Sequence, residues 1–144
     1  MNWLPLFLSV DGRIGRKDFC VGAAVLIGVS LLASLLPFIG LVVSLGLIVP
    51  WTCLLVKRLH DFGRPGLLAL IAILPAAGST ALSLFTVIAA SNVATMGVAF
   101  ASAGLTLGVS FMALLVSLGF LIWVAAKPGD LQPNAYGAVA SYAT

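Results

Sequence analysis

The sequence predicts an all-α membrane protein, a bundle of four transmembrane helices with both termini on the cytoplasmic side. Three observations predict it. Apolar residues make up 62% of the 144 positions, and charged residues only 8%, with no Glu; a soluble domain carries about 25% charged residues. The charges fall into three short blocks separated by two uncharged runs, 19–56 and 65–126. Each run is long enough for two crossings of roughly 20 residues and poorly suited to one. All 7 Lys and Arg then lie on one side, and the positive-inside rule makes that side cytoplasmic.

Each element follows in order. Residues 1–18 form an interfacial N-terminal segment that ends in Asp11, Arg13, Arg16, Lys17 and Asp18. Met1 to Val10 has no cationic side chain and no small-residue cleavage site follows, so the first span is expected to stay as an uncleaved anchor. Span one covers 19–36, and Pro37 and Gly40 break the run in a tight turn. Span two covers 41–58 and ends in Lys57 and Arg58, cations that suit a helix C-terminus. Gly63 offers a left-handed stop, and Pro65 suits the first turn of the next helix. Span three covers 66–90, with a kink expected at Pro75 and Gly78. The uncharged turn "SNVATMG" leads to span four, 98–126, which Lys127, Pro128 and Gly129 terminate. These spans make up a bundle over 19–126, and 127–144 is a cytoplasmic tail on which Asp130 stands apart.

Lipid supplies no hydrophobic drive between helices, so small residues mark close packing. Gly104 and Gly108 form a GxxxG pair, and Ala24 and Gly28 repeat the spacing. Both pairs are expected to pack inside the bundle, with a dimer face as the alternative use of the same spacing.

The stretch "VKRLHDFGRPGLLAL" gathers Lys57, Arg58, His60, Asp61 and Arg64 within eight residues. A catalytic reading would make His60 and Asp61 an acid–base pair. Adjacent helical residues do not face each other, however, and Asp61 is better placed for Lys57 or Arg58. A metal site is not expected, since zinc needs four N or S ligands and His60 is the only histidine. No cofactor is implied. No span interior carries an ionisable residue of the kind that proton relays use, which disfavours a coupled transporter. Nucleic acid is excluded as a partner, because these cations abut membrane helices rather than a water-exposed reading face. What remains is a cytoplasmic collar of Arg13, Arg16, Lys17, Lys57, Arg58 and Arg64, suited to anionic lipid headgroups or an acidic segment of a partner.

"GRIGRKDF" (Gly12 to Phe19), Pro50, "VKRLHDFGRPG" (Val56 to Gly66) and "PGDLQPNAYG" (Pro128 to Gly137) occur in this order. Together they resemble the domain-of-unknown-function 805 family of small bacterial inner-membrane proteins. The resemblance implies a four-pass protein with these motifs on the cytoplasmic face, and it implies no established activity. With the motifs at one face, Arg13 and Arg16, Arg58 and Asp61, and Asn134 and Tyr136 are expected to meet in one polar cluster, the last two docking the tail. The functional reading is a non-enzymatic accessory, assembly or stabilising subunit that contacts anionic lipids and other membrane subunits or itself. The alternative is a small enzyme or carrier acting on a phosphate-bearing lipid through His60 or Asp61. A passive channel is the third reading.

Overall fold

A computed structural model describes residues 3–138. Its helices are α1 (Trp3–Leu8), α2 (Arg16–Ser34), α3 (Pro37–Asp61), α4 (Leu70–Ala90) and α5 (Met96–Ala126). Short 3₁₀ turns at Gly66–Ala69 and Val93–Thr95 lead into α4 and α5. The described residues contain no strand, only an isolated bridge between Asn134 and Gly137. Four of the helices, α2 to α5, are long and apolar enough to cross a membrane. The chain is thus built as a multi-pass membrane protein. α2 packs chiefly on α3 and α4 on α5, giving two antiparallel hairpins.

The boundaries differ from the sequence expectation where proline was read as a break. Pro37 takes the first helical position of α3 rather than a place in a turn. Its fixed φ and missing N–H both suit that position. Only Leu35 and Leu36 then separate α2 from α3, and Gly40 lies within α3. Gly40 is needed there for a different reason: a Cβ would lie 2.8 Å from the carbonyl oxygen of Ala33. At the other end of α3, Gly63 has φ +68°. The N–H of Gly63 bonds to the His60 carbonyl at 3.2 Å, and that of Arg64 to the Leu59 carbonyl at 2.9 Å. These two bonds make a Schellman stop, which needs a residue at positive φ. Pro65 falls just before the following 3₁₀ turn, in extended backbone, and not inside a helix. Pro75 and Gly78 lie within α4, which runs on to Ala90. α5 starts at Met96 rather than 98, after Asn92 accepts a bond from the N–H of Ala94.

The core is gathered at one end. Phe19 and Leu26 of α2, Leu54 and Leu59 of α3, and Phe120 and Val124 of α5 form its centre. All lie toward the end where the charged blocks sit. α1 joins this end through Leu6, which reaches Gly22 on α2. At the opposite end, among the described residues, only small side chains such as Ala89 and Ala99 are buried.

The small-residue pairs take an unexpected orientation. Gly104, Gly108 and Gly28 have open space where a Cβ would stand, and Ala24 is exposed. They do not pack the two hairpins together, because each sits on the face its own bundle leaves uncovered. The close approach is made instead at Gly22, whose missing Cβ would lie 2.8 Å from a methyl carbon of Leu54.

Gly40→Ala should lower thermal stability in detergent by about 1–3 kcal/mol, the usual cost of overpacking. The clash there is with backbone, which cannot swing aside. Gly104→Ala should leave the melting temperature unchanged or raise it, since it meets open space. Circular-dichroism melts of both variants check this.

Candidate functional site

The site is the polar cluster at the packed end. It begins with Arg58 on the last turn of α3, whose side chain is 0% exposed. A buried guanidinium must be hydrogen-bonded and paired, or its desolvation is not offset. Its Nη1 donates to Oδ2 of Asp61, one turn ahead on the same helix, and to the Ile14 carbonyl at 3.4 Å. Its Nε donates to the Val124 carbonyl at 3.3 Å and its Nη2 to the Lys127 carbonyl. Phe62 covers the flat face of the group, with its ring centre 5.8 Å from Cζ. Among the described residues, no buried side-chain nitrogen or oxygen lacks a partner.

The acceptors on α5 explain why this residue sits here. A helix leaves its last four carbonyls without intrahelical partners. Arg58 takes those of Val124 and Lys127, while Arg16 donates to Ala126 at 2.8 Å and to Lys127 at 3.0 Å. Two cations therefore cap the C-terminus of α5, where the helix dipole also favours positive charge.

Asp61 is the hub of the remaining contacts, and its side chain is 5% exposed. Oδ1 accepts from Nε and Nη2 of Arg13, both at 3.3 Å. The Asp61 carbonyl accepts from Nη2 of Arg13 at 3.0 Å and from the N–H of Asp130 at 2.7 Å. Arg13 also donates to the carbonyls of Asp130 at 2.6 Å and Gln132 at 3.0 Å. It thus ties the N-terminal segment, the end of α3 and the tail together. Gly129 makes room for this: a Cβ at that position would collide with the Asp61 carboxylate.

The tail closes over the cluster. Asn134 Nδ2 donates to the His60 carbonyl at 3.0 Å and to Oδ2 of Asp130 at 2.9 Å. Its Oδ1 accepts from the N–H of Tyr136 at 2.9 Å, which turns the Tyr136 ring onto His60. The two rings stack at 3.9 Å with 5° between their planes. Gly137, at φ +128°, completes the turn.

The structure therefore brings Arg13, Arg16, Arg58, Asp61, Asn134 and Tyr136 into one place. It does not put Asp61 beside the imidazole of His60: the carboxylate points to two guanidinium groups, and His60 lies against Tyr136. The six-cation collar is divided. Arg58 and Arg13 face inward, and Lys57 is buried with its Nζ donating to the Pro5 carbonyl of α1. Arg16 is capping α5. Lys17 and Arg64 are exposed. Donors already bonded to protein carbonyls cannot also form a bidentate grip on phosphate. Sequence reading missed Asp130 as a member, and missed Gly129 and the α5 carbonyls. The "PG" within "PGDLQPNAYG" was the available signal for Gly129.

A family profile described as "Protein of unknown function (DUF805)" matches residues 7–138. The chain belongs to the DUF805 family. The DUF805 match includes every residue of the polar cluster, from Arg13 to Gly137. No curated protein and no solved structure matches this DUF805 chain.

Asp61→Ala should strand two buried guanidinium groups and cost about 3–5 kcal/mol, as breaking a buried ion pair does. Asp11→Ala, at an exposed position, should change stability little. Thermal melts of the two variants in detergent give the comparison. Gly129→Ala should resemble Asp61→Ala, because a single methyl group displaces the carboxylate. A wild-type melt for Gly129→Ala would show that the tail does not need its contact with Asp61.

Proposed function

We propose that this chain is a non-enzymatic module of the bacterial inner membrane. It acts as an accessory, assembly or stabilising subunit, with both termini cytoplasmic, and packs its helices against another membrane protein or a second copy of itself. One observation carries the reading. The GxxxG face of α5 is turned outward with open space beside Gly104 and Gly108. Such faces let helix backbones approach closely in lipid, where van der Waals contact drives association. The chain's own bundle leaves this one unfilled.

The chemistry of the polar cluster supports the same reading. Its guanidinium groups are engaged by the chain's own carbonyls and by Asp61, so the motif residues serve the fold. Asp61 is a poor candidate for a general base, with three N–H donors on its two oxygens and a side chain closed to solvent. Lys17 and Arg64 stay exposed and suit anionic headgroups around the bundle.

Native mass measurement after extraction in mild detergent should give a mass above that of one chain. Gly104→Ile with Gly108→Ile should weaken that association by about tenfold, because branched side chains hold the two backbones apart. A lone monomer under every gentle condition would sink the subunit reading. His60→Gln tests the enzymatic alternative: a cellular role that survives the change excludes acid–base work by His60.

A further inference from the structure

Between the two hairpins lies a cavity of about 470 Å³. All four spanning helices line it, among them Trp51 and Leu55 of α3, Ile73 and Ala76 of α4, and Ser117 and Leu121 of α5. These residues sit within the apolar stretches of their helices, at the depth of the bilayer hydrocarbon. The volume is in the range of small-molecule sites, roughly 300–1,000 Å³.

The wall has the polarity of hydrocarbon despite five hydroxyl groups. Ser30 donates to the Leu26 carbonyl at 2.8 Å, and Ser44 to Gly40 at 2.7 Å. Ser79 and Thr80 both donate to Ala76 at 2.9 Å. Ser117 reaches across from α5 to the Ala72 carbonyl of α4 at 3.2 Å. Each hydroxyl proton is thus already used by a backbone carbonyl. A polar ligand would find no free hydroxyl proton, only the indole N–H of Trp51, and an ion would find no charge.

The cavity has a side entrance. Ile27 of α2 is 41% exposed, and Leu114 and Leu118 of α5 are 59% and 47% exposed, whereas Leu55 and Ala72 on the inner wall are 2% and 7% exposed. The opening therefore reaches the outer surface at α2 and α5, and it extends to the exposed Ser44 on α3. A helix with its side chains is about 10 Å across, whereas a hydrocarbon chain is far thinner and flexible, so a chain enters such an opening between two helices more readily.

We propose that this cavity binds one acyl chain of a bilayer phospholipid, which enters from the surface at α2 and α5. Lys17 lies ten residues from Ile27 along α2, about 15 Å. That is roughly the hydrocarbon depth of one leaflet, half of about 30 Å. A headgroup held at the level of the exposed Lys17 can thus send its chain to the entrance. The site rests on the membrane reading alone and is separate from the subunit reading.

The test uses the full chain in nanodiscs of phosphatidylethanolamine and phosphatidylglycerol. A trace of phosphatidylglycerol carries a photoreactive diazirine near the end of one acyl chain. After irradiation, labelled positions are read by peptide mass spectrometry. The expected result is label on the inward residues Trp51, Ile73 and Ser117, as well as on the lipid-facing Leu107. Ala76→Phe fills the cavity and should reduce the inward label about tenfold without changing that on Leu107. Leu114→Trp narrows the entrance from an exposed position and should do the same, so it decides the matter if Ala76→Phe does not fold. Label confined to outward residues in the wild type overturns the proposal, and so does inward label that a folded Ala76→Phe and Leu114→Trp leave unchanged. A monomer with a labelled cavity refutes the subunit reading and keeps this site; an oligomer with an unlabelled cavity does the reverse.

Discussion

The buried guanidinium of Arg58 is the constraint on which the packed end depends. Removing a cation from water costs several kcal/mol even after relaxation, and only fixed partners offset it. Those partners come from three separate pieces of chain. They are the Ile14 carbonyl ahead of α2, Asp61 on α3, and the Val124 and Lys127 carbonyls at the end of α5. The guanidinium can be satisfied only when these pieces meet. Lysine would not replace it, because a single ammonium lacks the planar fork that reaches in several directions. The same contact caps α5, so one side chain serves both its own burial and a helix end.

The rest of the bundle follows from that concentration of contacts. Large side chains interlock beside the cluster, with Leu54, Leu59 and Val124 at 0% exposure. Farther along, the hairpins are held by small residues and by hydroxyl contacts such as Thr86 to Thr106 at 2.8 Å. The hairpins are anchored at one end and leave space between them at mid-depth. In water such a space would be a fault in packing. In a bilayer it is open to a solvent made of chains.

The seven cations divide into two kinds of work. Four of them, Arg13, Arg16, Lys57 and Arg58, donate to backbone carbonyls of other segments. They hold α1, the start of α2, the end of α5 and the tail together. The other three, Lys17, Arg64 and Lys127, are exposed at the surface. In this chain the motif residues are therefore mostly engaged with other segments at the helix ends.

The four spans were legible in the sequence because hydropathy is a local property, summed along the chain without reference to neighbours. The stop at Gly63 was legible for the same reason, since a left-handed residue is needed wherever a helix ends this way. Pro37 and Pro65 were misplaced by a few residues, because proline fits a helix start as well as a break. The direction of each side chain was not legible. Lys57 and Arg58 are neighbours in sequence, yet one reaches α1 and the other α5. Gly22 and Gly28 look alike in sequence, yet one meets Leu54 and the other meets nothing. Asp130 looked isolated and is bonded to Arg13 and Asn134. Composition determines that helices enter the membrane and where they turn. Which face of each helix turns inward is decided only when the helices pack, because it depends on the shape and the unpaired carbonyls of a neighbour far away in the chain.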